Sequence, residues 1–134
     1  MIPRLDHIGI AVRSIAEARG FYEALGLEVE AIEEVPQEKV RVAMIRCGES
    51  KIELLEATSP DSPIAKFLDQ RGPGIHHVCF ASTDLASADA ALRAAGHQLL
   101  RAEPTPGAGN HLVQFVHPRS AGGVLVELSQ EIHE

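Results

Sequence analysis

An internal repeat constrains this chain more than any other feature. Residues 5–29 read LDHIGIAVRSIAEARGFYEALGLEV and residues 75–99 read IHHVCFASTDLASADAALRAAGHQL. They align without a gap at an offset of 70, which superposes His7 on His77, Ile15 on Leu85, Ala18 on Ala88 and Gly26 on Gly96. Few of the matches are identities, but the patterns coincide. Each copy starts with a strand-like alternation and continues into a helix. The helix places small and apolar residues at 15, 18, 22 and 25, and at 85, 88, 92 and 95, the spacing of one buried face. Ser14 and Asp84 stand at N-cap positions, and Gly26 and Gly96 stand where a helix C-cap belongs.

Three further strands are expected in each copy, at 27–34, 39–47 and 50–56, and again at 98–103, 111–117 and 123–129. Gly48 and the SAGG stretch at 120–123 mark turns. Between the copies, Asp61 or Ser62 can cap a helix over 63–70, with Pro63 in its first turn. Gly72-Pro73-Gly74 then breaks the chain. The expected fold class is α+β: two βαβββ modules in one chain, about 4–57 and 74–130, with a linking helix at about 62–71. Such a module is too small to cover both faces of its own sheet. The two sheets are therefore expected to pack around a shared cleft, as a single domain over 1–134.

The chemistry follows from the alternation. In strand 5–12 the residues Ile8, Ile10 and Val12 form an apolar face, so His7 shares the other side with Gly9 and Ala11. In strand 75–81, His77 lies likewise with Cys79 and Ala81. Each histidine thus projects from a face lined by small residues. The last strand of each copy carries a carboxylate in an apolar run, Glu53 in IELL and Glu127 in VLVEL, where a lone charge would be costly to desolvate. A single strand histidine is more often structural than ligating, and a strand glutamate usually faces solvent. Duplication changes that balance. Two imidazoles and two carboxylates, one of each per copy, suit a borderline divalent ion, so His7, Glu53, His77 and Glu127 are the candidate metal ligands. His76 falls on the neighbouring face, as a structural or supporting residue. His97, His111, His117 and His133 have no repeat partner.

Bulk properties narrow the partners. The net charge of −7 disfavours nucleic acid, which needs clustered Lys and Arg, yet allows an anionic small molecule against a local patch. No apolar run approaches the ~20 residues of a membrane span, and the N-terminus enters a strand pattern almost at once, so a cytoplasmic protein is expected. Cys47 and Cys79 form no CxxC pair and are read as buried thiols.

The repeat with His-Glu-His-Glu ligands resembles the vicinal-oxygen-chelate superfamily, which includes glyoxalase I, over nearly the whole chain. Within it, LDHIGIAV at 5–12, IELLEATSPDSPIAKFL at 52–68, GIHHVCF at 74–80 and HPRSAGGVLVEL at 117–128 are most similar to the methylmalonyl-CoA epimerases. The resemblance implies an isomerase acting on an acyl-CoA, a homodimer, and a divalent ion, cobalt, with manganese, nickel, zinc or magnesium as alternatives. It carries the metal ligands over as His7, Glu53, His77 and Glu127. Some epimerases have a catalytic glutamate where this chain has Val42, and glutamine where it has Glu53. Glu53 and Glu127 are therefore the expected catalytic pair, Glu53 serving as ligand and base together, with Glu38 or a water as the alternative second base. Arg101, His111 and Arg119 are candidates for CoA phosphate contacts, against ordinary surface charge. The competing functions are a glyoxalase-I-type lyase acting on a thiol hemithioacetal and a metal-free small-molecule binding protein.

Overall fold

The computed structural model describes residues 1–107 and 109–132. His133 lies outside the described residues. In chain order the elements are β1 (Arg4–Ala11), α1 (Ile15–Ala24), β2 (Val29–Val35), β3 (Val40–Cys47), β4 (Ser50–Ala57), α2 (Pro63–Arg71), β5 (Gly74–Ala81), α3 (Leu85–Ala94), β6 (Thr105–Pro106), β7 (His111–Val116) and β8 (Leu125–Glu131). The fold is α+β, with each copy of the repeat supplying a βαβββ set. By mutual contact the chain forms two compact units, His7–His76 and His77–Glu134 joined by Met1–Asp6.

In the first unit the strand order is β2-β3-β4-β1, with β1 parallel to β4 and the other pairs antiparallel. One face carries α1. Val12, Ile15, Ala43, Ile45 and Leu54 form its core, with Ala18 and Tyr22 packed alongside. Ser14 caps the helix, accepting from the Glu17 amide at 3.2 Å. Leu25, expected on the buried face, is 64% exposed. It is the C-cap, where the chain turns into Gly26 at φ +89°, and its side chain swings off the stripe. The opposite face is partly covered by α2, whose Ile64 and Leu68 pack with Ala11, Val40, Val42 and Leu55. The linking helix thus covers part of the face that carries the candidate ligands, and the module's own residues leave the remainder open. Ser62 caps α2 by accepting from the Ile64 amide.

The second unit repeats the plan as β5-β8-β7-β6, with β5 parallel to β8. Its α3 packs through Leu85 and Ala88 on Val116 and Leu128, and Asp84 caps it by accepting from the Ser87 amide at 3.1 Å. Ala95 is exposed, for the same reason as Leu25.

The strand expected at 98–103 does not form. Leu99 makes one bridge to Val116, and the regular pairing resumes only at Thr105–Pro106. Side chains take the backbone groups a ladder would use. The Arg101 amide donates to Gln114 Oε1, while the Arg101 and Ala102 carbonyls accept from Arg93. Pro104 and Pro106 lack the N–H a strand would donate. Gln114 is fully buried and also donates to Asp89 at 2.8 Å, which accepts from Arg93 at 2.7 Å. Burial pushes the Asp89 carboxyl up, but the Arg93 and Gln114 hydrogen bonds outweigh it and hold the group below the usual range.

Candidate metal centre

The alternation of β1 and β4 brings His7 and Glu53 to one face of the first unit. In the parallel register His7 opposes Lys51 and Gly9 opposes Glu53. His7 is 7% exposed, and its Nδ1 lies 3.4 Å from Glu53 Oε2. The second unit reproduces this. His77 opposes Leu125 and Cys79 opposes Glu127. His77 is 8% exposed, with Nε2 3.3 Å from Glu127 Oε1. In both halves the carboxylate stands opposite the residue two beyond the histidine. The repeat is thus preserved at the level of strand register as well as sequence.

Each pair offers one imidazole nitrogen and one carboxylate oxygen side by side. A charge-assisted hydrogen bond accounts for one such pair. Imidazole nitrogen and carboxylate oxygen are donors that suit a borderline divalent ion, and each unit offers one of each.

Neighbouring positions sort cleanly. Val42 lies on the same face as Glu53, is 6% exposed, and packs in the apolar cluster under α2. Valine there has no proton to exchange. Glu38 is exposed in a 3-10 turn, Pro36–Glu38, before β3. His76 stacks edge-on against Phe67, ring centroids 5.1 Å apart, a structural contact. His117 caps a short 3-10 turn through Nδ1, accepting from the Arg119 amide at 3.0 Å, and Arg119 is exposed. Cys79 is buried on the ligand face, but Cys47 is exposed at the end of β3, correcting its reading as a buried thiol. Among the described residues, no helix is long and apolar enough to cross a membrane.

The sequence reading missed one pair that positions the site. Three residues after each candidate carboxylate ligand, Glu56 and Gln130 reach across to the first turn of the unit's helix. Glu56 Oε1 accepts from the Ile15 amide and Gln130 Oε1 from the Leu85 amide, both at 2.7 Å. These contacts tie the ligand strand to the helix that backs it. Their signal was present, since Glu53 to Glu127 and Glu56 to Gln130 share one offset, but a side chain that accepts from an amide 41 or 45 residues away has no local signature.

Comparison with known proteins agrees with this architecture. A family model for the Glyoxalase/Bleomycin resistance protein/Dioxygenase superfamily matches residues 6–115. The chain is 41% identical to an ethylmalonyl-CoA/methylmalonyl-CoA epimerase from Cereibacter sphaeroides, covering 97% of this chain and 99% of that protein. It is 38% identical to the mitochondrial methylmalonyl-CoA epimerase of Homo sapiens, covering 95% of this chain and 73% of that one. The structure of Streptomyces coelicolor methylmalonyl-CoA epimerase in complex with 2-nitronate-propionyl-CoA superposes with a TM-score of 0.91 at 36% identity, covering 98% of this chain and 96% of that one. On the fold, the repeated His–Glu register and this match, the chain belongs to the glyoxalase/bleomycin resistance protein/dioxygenase superfamily, the vicinal-oxygen-chelate group.

Proposed function

We propose that this protein is a metal-dependent epimerase interconverting the C2 epimers of methylmalonyl-CoA. The observation that carries the reading is the duplicated His–Glu pair, His7 with Glu53 and His77 with Glu127, in identical register. The likeness to the epimerases over nearly the full chain supports it. His7, Glu53, His77 and Glu127 would together hold one divalent ion. Cobalt is the proposed ion, and a cytoplasmic homodimer the proposed setting.

When bound, the ion supplies a Lewis acid that lowers the energy of the enolate formed from the thioester. The residues supply the proton chemistry. One carboxylate, Glu53 or Glu127, takes the C2 proton; the C–H bond breaks and a carboxyl O–H forms. The other, protonated, returns a proton to the opposite face of C2. Their roles exchange with the direction of the reaction. His7 and His77 orient the two carboxylates by lying within hydrogen-bonding reach of them. No redox step is needed.

The test is isotope exchange. Metal-loaded protein incubated with methylmalonyl-CoA in deuterium oxide should incorporate deuterium at C2, followed by mass spectrometry, and ethylmalonyl-CoA should be assayed beside it. No exchange across cobalt, manganese, nickel and zinc would overturn the proposal.

A further inference from the structure

The ligand face of the second unit continues from Glu127 onto β7. Phe115 stands directly opposite Glu127, and opposed residues of an antiparallel pair share a face. Thr105 on β6 opposes Val113, two residues from Phe115 along β7, so it lies on that face as well. Arg101 reaches onto it from the segment before β6. Its guanidinium lies 4.8 Å from the centroid of the Phe115 ring, and its Nη1 donates to the Thr105 hydroxyl. The backbone at Arg101 is fixed separately. Its amide donates to Gln114 Oε1, and its carbonyl accepts from Arg93 Nη2 and Gln114 Nε2. The loop therefore keeps its place whatever the Arg101 side chain does.

An aromatic ring under a guanidinium sets the plane in which its donors point. Adjacent strands are about 4.8 Å apart, so this cation stands roughly one to two strand spacings from Glu127. The reacting acyl group must lie close to Glu127. A CoA phosphate lies beyond the whole pantetheine arm. Arg101 is thus placed nearer the acyl end of a substrate than its nucleotide, an alternative to the phosphate contact expected from sequence. A planar fork of donors is suited to a carboxylate.

We propose that Arg101 recognises the free carboxylate of the acyl group, and so selects malonyl-type thioesters over neutral acyl-CoAs. The inference rests on the epimerase reading. It is tested by calorimetric binding of malonyl-CoA, propionyl-CoA and free CoA to the metal-loaded protein, with metal content and thermal unfolding recorded for each variant. The wild type should prefer malonyl-CoA. Arg101→Gln should weaken malonyl-CoA roughly 10- to 100-fold, the scale of a charge-assisted hydrogen bond, and leave propionyl-CoA and CoA within about twofold. Arg101→Lys should keep part of the preference, since it keeps the charge without the fork; if Arg101→Gln unfolds, the lysine variant carries the same comparison. Equal loss for all three ligands would return Arg101 to the phosphates and overturn the inference. An unchanged preference, or a wild type with none, would also overturn it while leaving the epimerase reading in place. A wild type that binds none of the three would overturn both.

Discussion

The two units use the same frame and cover it differently. In the first, the positions beyond the ligands on the ligand face are Ala11, Leu55, Val42 and Val40, with Leu55 opposing both Ala11 and Val42. Ile64 and Leu68 of α2 pack on them. In the second, the equivalent register holds Ala81, Ser129, Val113 and His111. Among the described residues, the second unit's apolar cluster under α3 includes none of these positions. Instead Ser129, His111, Glu131, Arg4 and Asp6 border a polar cavity of about 270 Å³. One linking helix serves one module, and the residues beneath it are apolar because they must exclude water with it. In the second unit two of the four positions, Ser129 and His111, carry polar groups instead. Symmetry of the ligand pairs thus coexists with asymmetry of their surroundings, and the polar half is where Arg101 sits.

The proposed metal ligands should show the symmetry most strongly. His7→Ala and His77→Ala should each abolish tight metal binding, a larger loss than the ~10–100-fold of a supporting residue, while circular dichroism shows a folded chain. If either variant kept full metal content by elemental analysis, the two pairs would not be equivalent halves of one site.

The carboxylates should break the symmetry. Glu53→Gln should retain metal but lose roughly 10²–10⁴-fold in turnover if Glu53 moves protons. Exchange at C2 can then survive from one substrate epimer through Glu127 while inversion fails. Adding Val42→Glu should restore part of the rate. It should also lower stability by about 1–3 kcal/mol, because Val42 is buried under α2 and a carboxylate there must give up water. Near-normal epimerisation by Glu53→Gln would move the search for the base to Glu38 or a bound water.

The smallest expected effect lies at the helix ties. Glu56→Ala should cost about 1–2 kcal/mol in urea unfolding and Gln130→Ala about 1 kcal/mol, the range of helix N-terminal caps. Glu56 should matter more because its carboxylate is charged, meets the positive end of α1, and also accepts from Arg41 at 2.8 Å. Equal costs would mean that the charge contributes nothing beyond the hydrogen bond.

Much of this protein is determined by its sequence alone. Alternation in 5–12 and 75–81 sets which side His7 and His77 take, because successive side chains of a strand point to opposite faces. Ser14, Ser62 and Asp84 cap the helices they precede because a cap acts within one turn. The duplication identifies Glu53 and Glu127 from strand pattern and residue type. Tertiary structure decided the remainder. The peptide groups near Arg101 could form a strand by propensity, but the side chains of Gln114 on β7 and Arg93 on α3 take their hydrogen bonds. Glu56 and Gln130 reach amides 41 and 45 residues away, a pairing that exists only once the strand and helix have packed. Leu25 reads as buried by spacing and is exposed because the helix ends beneath it. Arg101 reads as a phosphate contact or as surface charge, and only β7 places Phe115 under it and beside Glu127. Periodicity and capping act over a few residues and can be read locally, whereas which side chain satisfies a given backbone group depends on contacts that only the folded chain creates.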